Sequence, residues 1–76
     1  MIKVIFEGWE VGMRKLPFIK LLNEKAGFSI SEAKKMKDDL VDNNKVIVIK
    51  TDNNDLAKEI LSEAKKLKVL GRLEIT

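Results

Sequence analysis

The side chains that most often carry out catalysis are nearly all missing from this chain of 76 residues. It has no histidine and no cysteine, so it lacks the commonest general base, the commonest transition-metal ligand and the most reactive nucleophile. Ser29, Ser31 and Ser62 have no imidazole to activate them, and Ser29 is placed to cap a helix. The sequence therefore predicts a protein that is not an enzyme and uses no cofactor.

Two short segments have the composition of ion-binding loops. Residues 52–55 (DNND) begin like a calcium-binding loop, but Ala57 stands where that loop needs a glycine, so a helix cap is the better interpretation. Residues 8–12 contain two glycines without a GxGxxG or Walker pattern. We therefore predict neither a metal site nor a phosphate site.

Trp9, the single tryptophan, is predicted to lie in the loop formed by residues 8–12. Tryptophan is enriched among the residues that dominate binding energies, so Trp9 is a candidate anchor for a partner. Small domains also use a large aromatic ring to complete a core, and the sequence leaves both roles open.

Composition indicates one globular domain that spans residues 1–76. Hydrophobic residues make up 45% and charged residues 36% of the chain, and no apolar run reaches the roughly 20 residues needed to cross a bilayer. The formal net charge of +3 favours an acidic partner. Lysines alternate with acids in the later helices, which disfavours nucleic acid. With no signal peptide, membrane segment or cysteine, the chain is expected in the cytoplasm.

Hydrophobic spacing predicts an α+β domain in which three helices pack on one face of a three-stranded sheet, in the order β-α-α-β-α-β. Strands are predicted at residues 2–7, 46–49 and 70–75. Helices are predicted at residues 17–26 and 30–40, with a third that follows a cap at residues 51–54 and ends before Gly71. The side chains expected to face the helices are Ile2, Val4, Phe6, Leu73 and Ile75.

The first predicted helix has a wider apolar stripe than one contact surface needs. Phe18, Leu21 and Leu22 share one face, and Leu16 and Ile19 lie around the cylinder from them, so part of the stripe is expected to be exposed. The next residues mark a helix end at Gly27 and offer a capping box at residues 29–32 (SISE). The second helix is expected to direct toward the core Ile30, Ala33, Met36, Leu40 and Val41.

Residues 15–20 (KLPFIK) and 27–34 (GFSISEAK), together with the order of elements, resemble the C-terminal domain of the bacterial ribosomal stalk protein of the large subunit. The resemblance extends over residues 2–75. In that family the first two helices present a mixed apolar and charged face that recruits translational GTPases. The resemblance therefore implies a non-catalytic protein-binding module in translation. Carried over by position, its face comprises Lys15, Leu16, Ile19, Lys20, Ile30, Glu32 and Lys34.

Three positions depart from the family's pattern. Asn23 replaces an arginine, Ser29 a glycine and Ser31 a lysine, so two cationic contacts of the family are missing. The sequence also lacks the family's N-terminal dimerisation region and hinge. The oligomeric state, and whether the chain is an excised domain or a stand-alone relative, are left open.

The same fold family includes an adaptor that delivers N-degron substrates to a Clp protease, and residues 3–5 followed by a loop and a helix are similar to it. The adaptor's pocket relies on acidic residues after that strand and on a histidine. This chain has residues 7–9 (EGW) there and no histidine, which counts against that function. A Clp-type adaptor and a nucleic-acid-binding protein stay as alternatives to the docking module.

Overall fold

The computed structural model describes residues 1–75. Their elements are β1 (Ile2–Trp9), α1 (Lys15–Glu24), α2 (Ile30–Val41), β2 (Ile47–Thr51), α3 (Asn54–Lys66) and β3 (Val69–Ile75). β1 is the central strand and pairs antiparallel with β2 on one side and with β3 on the other. The predicted α+β class and the order β-α-α-β-α-β are therefore confirmed.

The core side of the sheet follows the predicted alternation along β1. Ile2, Val4 and Phe6 are buried, because every second side chain of a strand points to the same face. Val4 lies opposite Ile49 on β2 and opposite Leu73 on β3. The apolar layer is thus continuous across the three strands.

The three helices differ in how much of this apolar layer they cover. α2 and α3 contact the sheet, whereas α1 packs mainly against α2 and α3. α1 reaches the sheet through Phe18, whose ring meets that of Phe6 edge-on, with 5.4 Å between the centroids and an angle of 84°. Phe18, Leu21 and Leu22 are all buried, which confirms the predicted inner face of the first helix.

Side-chain caps begin the second and third helices. The Glu32 amide donates to Ser29 Oγ over 3.1 Å, as the predicted capping box requires. The Glu32 carboxylate accepts from the Ser29 hydroxyl over 3.0 Å rather than from the Ser29 amide that the full box would use. The Leu56 amide donates to Asn53 Oδ1 over 3.0 Å. The segment that begins like a calcium loop is therefore a helix cap, as predicted.

Most element boundaries differ from the predictions by one or two residues, and the differences in α1 and β1 bear on the predicted site. α1 begins and ends two residues earlier than expected. Pro17 still lies in its first turn, where backbone amides have no acceptor within the helix, so the absence of an amide hydrogen in proline costs no hydrogen bond. β1 does not end at residue 7 but continues to Trp9, because an irregularity between Phe6 and Gly8 lets its pairing with β3 resume. The prediction that Trp9 lies in a loop is therefore wrong.

Gly71 of β3 occupies a position where a side chain would clash with its neighbours. A Cβ at Gly71 would lie 2.7 Å from the carbonyl oxygen of Ile5 and 2.8 Å from the ring of Phe6. The turn between α3 and β3 is made instead by Lys68, with a φ of 68°. Ile75, which was expected to be buried, is 77% exposed at the end of the edge strand β3, although Ile2 opposite it on β1 is buried.

Candidate partner-binding site

The candidate site begins with a row of side chains along α1. Leu16, Ile19 and Asn23 recur every three or four residues and therefore follow one side of the helix. Leu16 is 77% exposed, and Ile19 is half-buried at the margin of the core. Phe18 and its buried neighbours fill the core from the other side of α1, so this row is only partly covered and is most exposed at Leu16.

Two lysines flank this row, and both are exposed. Lys20 Nζ lies 3.8 Å from Oε1 of Glu24, one helical turn away. Lys15 makes no ion pair within residues 1–75. An exposed ion pair of this length contributes little to stability, so either lysine can turn toward a partner at small cost.

Ile30 extends the candidate site onto α2. The expectation that it faces the core is wrong: it is 58% exposed, because it is the first residue of α2 and the buried side begins one turn later at Ala33. Glu32 is exposed, although its carboxylate already accepts the hydroxyl of Ser29. Lys34 is exposed and has no ion pair in the part of the chain that the structure describes.

Asn23 joins these two groups of side chains. Its Nδ2 donates to the carbonyl oxygen of Phe28 over 2.7 Å, which ties the end of α1 to the corner that precedes α2. The exposed side chains therefore lie on two helices that are joined at this corner and pack against each other. No sequence signal indicated this role, since an asparagine near a helix end has many possible partners. We call the surface the helix-pair face: Lys15, Leu16, Ile19, Lys20, Ile30, Glu32 and Lys34.

Positive charge is concentrated around this face. Residues 14–37 contain seven basic and two acidic side chains, whereas the rest of the chain contains eight basic and ten acidic ones. α1 also has no side-chain cap at Arg14 and no acidic residue in its first turn. The positive end of the helix dipole is therefore not neutralised there, and the surface favours a negatively charged partner.

Trp9 belongs to a different part of the fold. It is the last residue of β1, opposite Val69 of β3, whereas the other seven predicted residues lie on α1 and α2. Its exposed fraction of 37% means that its side chain is partly covered and partly accessible. The structure thus places seven of the eight predicted residues on two adjoining helices and leaves Trp9 on the sheet.

A groove of about 450 Å³ between α1 and α3 was not anticipated from the sequence. Lys25 Nζ lies 2.6 Å from Oε1 of Glu59 at its rim. Its hydrogen bond with Glu59 raises the pKa of Lys25 above the ordinary lysine value. Ion pairs between residues far apart in sequence leave no local pattern from which to predict them. The groove is lined by Pro17, Lys20, Leu21, Glu24, Lys25, Glu59, Glu63 and Leu67.

The chemistry that these surfaces offer is apolar contact and charge. Within residues 1–75 no group of three or more acidic side chains is arranged to hold a metal ion. The hydroxyl of Ser29 is engaged in the cap of α2. None of the helices in this range is long and apolar enough to cross a membrane.

Comparisons with protein-family models, with curated proteins and with solved structures found no match for the chain. The likeness to the ribosomal stalk domain therefore rests on residues 15–20, residues 27–34 and the order of the elements.

Proposed function

We propose that the chain is a non-catalytic protein-binding module that docks an acidic surface of a partner protein on its helix-pair face. The resemblance to the stalk domain makes a translational GTPase the first partner to test. The observation that supports this function is the exposure of Leu16 and Ile30 on adjoining helices within the most basic part of the chain. Single exposed apolar residues are normal, but an apolar surface rimmed by charge is typical of a docking site.

The two kinds of side chain on this face have different tasks. Burial of a leucine or isoleucine side chain contributes about 1.5–3 kcal/mol, so Leu16 and Ile30 supply most of the affinity. Charges at the rim of an interface mainly steer the encounter and select the partner. Lys15 and Lys34 therefore act chiefly on the association rate, and their effect decreases as salt is added.

The test is a titration of the isotope-labelled chain with a GTP-bound translational GTPase, followed by amide chemical shifts. Shifts are expected at residues 15–34, and Leu16→Ser should weaken binding by about tenfold or more, which corresponds to the lost apolar contact. Ile75→Ser is the matched control, because Ile75 has the same exposed fraction of 77% and lies on β3. The absence of shifts at residues 15–34 with saturating partner would refute this function.

Nucleic acid is the competing partner, because the excess positive charge of residues 14–37 would also attract phosphates. The two partners respond differently to mutation. Binding to nucleic acid would weaken steeply with salt and with Lys15→Glu but would be unaffected by Leu16→Ser. Fluorescence anisotropy with a labelled oligonucleotide at about 50 and 200 mM salt separates them.

A further inference from the structure

The outer edge of β2 is an open edge of the sheet. Among residues 1–75, β2 pairs with β1 alone, since the strand order is β2-β1-β3. Within residues 1–75, the backbone groups of residues 46–50 make no hydrogen bond outside the ladder with β1. Unpaired amide and carbonyl groups along an edge can pair with a further strand.

The sequence of this edge is suited to such pairing. Residues 46–49 (VIVI) are four β-branched residues with no charge and no proline, the side chains that sheets favour. Ile47 and Ile49 are buried on the core side. Val46 and Val48 are exposed instead, and Val48 lies opposite Ile5 on the face of the sheet that bears no helix. A strand added at this edge would cover both valines.

The opposite edge of the sheet carries the features that usually prevent such pairing. β3 pairs with β1 through a bulge between Phe6 and Gly8. Arg72 on β3 bonds to Glu7 over 2.7 Å and to Glu74 over 3.0 Å. Bulges and charged side chains are common protections of edge strands. Residues 46–49 at the centre of the β2 edge, between Lys45 and Lys50, have neither kind of protection.

We propose that the edge of β2 is a docking site for a second copy of this chain. The two β2 strands pair antiparallel about a two-fold axis normal to the sheet, which gives one six-stranded sheet and keeps the helices of both copies on the same side. A two-fold interface requires a surface that complements itself, and an antiparallel strand edge does so through its backbone.

Side-chain placement supports a second copy as the occupant. With the axis at Ile47, Val46 of each copy lies opposite Val48 of the other, so the exposed valines cover one another. In the same register Lys50 lies opposite Asn44 and Lys45 opposite Ile49 of the second copy, so no lysine faces a lysine. The four residues at the centre of this edge, 46–49, carry no charge, so the pairing there depends on backbone hydrogen bonds and on valine contacts that a second copy supplies.

The proposal is tested by sedimentation of the full chain at concentrations up to about 1 mM, the weak end of the affinity scale. The mean mass of the wild type should rise toward that of a dimer. Val48→Lys should remain monomeric, because it replaces the valine that contacts Val46 of the other copy, at the apolar centre of the paired edge, with a charged side chain. Leu70→Lys is the matched control, since Leu70 has a similar exposed fraction (47% against 44%) and lies on β3; it should dimerise like the wild type.

A second variant guards against misfolding of the first. Val46 is exposed and precedes β2, so Val46→Lys should leave the fold intact, as checked by circular dichroism, and should also abolish the dimer. Amide exchange in residues 46–50 should slow as the wild-type concentration rises. A wild type that stays monomeric at every concentration overturns the proposal, and so does a dimer that survives Val46→Lys in a folded chain.

Discussion

α1 and α3 are helices of similar length that follow the rules of helix stability to different degrees. α3 begins with the cap of Asn53 and an acidic residue, Asp55, and ends with Lys65 and Lys66, all of which stabilise a helix. α1 has no side-chain cap, no acidic residue in its first turn and no basic residue in its last turn. α3 therefore satisfies the local rules, and α1 depends on its contacts with the core.

The position of these departures is informative. They coincide with the exposed Leu16 and with Arg14 and Lys15, two cations at the positive end of a helix. Natural proteins most often break local stability rules where a surface has another task. The contrast with α3 thus supports the assignment of a binding role to the helix-pair face rather than to the third helix.

Removal of the Phe18 side chain, through which α1 packs into the core, should strongly reduce the stability of the fold. Phe18→Ala is expected to cost about 3–5 kcal/mol, because a fully buried ring that packs on Phe6 is replaced by a cavity. Leu16→Ala, two residues away, should change stability by no more than about 0.5 kcal/mol. Urea denaturation followed by circular dichroism measures both. A comparable loss in Leu16→Ala would show that the exposed row supports the fold and would remove the contrast.

The cap of α3 provides the next test. Asn53→Ala should destabilise the chain by about 1 kcal/mol, since the Leu56 amide loses its acceptor. Arg14→Ala, at the corresponding position of α1, should be nearly neutral because its side chain makes no capping bond. Thermal melts of the two variants give this comparison. Equal losses would mean that Arg14 stabilises α1 in a way that the structure does not show.

The order of the elements could be predicted from sequence because each signal was local. Helical spacing, the capping box at residues 29–32 and the β-branched run at residues 46–49 depend on neighbours in the chain. The width of the apolar stripe on α1 also indicated correctly that part of it, Leu16, would be exposed. Secondary structure that depends on residues only a few positions apart can be predicted without knowledge of the tertiary structure.

The remaining features depend on residues distant in sequence. The continuation of β1 to Trp9 requires a bulge against β3, and Gly71 is needed because the Ile5 carbonyl passes close to it. The exposure of Ile30 follows from where α2 meets the core, which helical periodicity does not specify. The charge of residues 14–37 is present in the sequence, but the modest total of +3 conceals it.

A capping residue introduced at the start of α1 should stabilise the fold and weaken binding at the helix-pair face. Arg14 has the extended backbone that a capping residue adopts, with φ −92° and ψ 97°. Arg14→Asp should therefore increase stability by about 0.5–1 kcal/mol through a capping bond and a favourable interaction with the helix dipole. The same change should weaken binding of an acidic partner. Arg14→Gln, which removes the charge without adding a good cap, separates the two effects. Tighter binding by Arg14→Asp would contradict an acidic partner.

The ion pair between α1 and α3 should give a small effect that depends on pH. The pKa of Lys25 is raised, first by its hydrogen bond with Glu59 and then by the charge of that carboxylate. A raised lysine pKa means that the stabilisation is complete below the unfolded value, near 10.4, and is lost as the pH rises through the folded value. The wild type should therefore melt at a slightly higher temperature than Lys25→Met at pH 8; the difference is small because the ion pair is largely exposed. This difference should shrink above pH 10.5, as Lys25 loses its charge. Lys58→Met is the control, since Lys58 on α3 makes no ion pair within residues 1–75. If the Lys25→Met difference is as insensitive to pH as that of Lys58→Met, the ion pair does not join the two helices in solution.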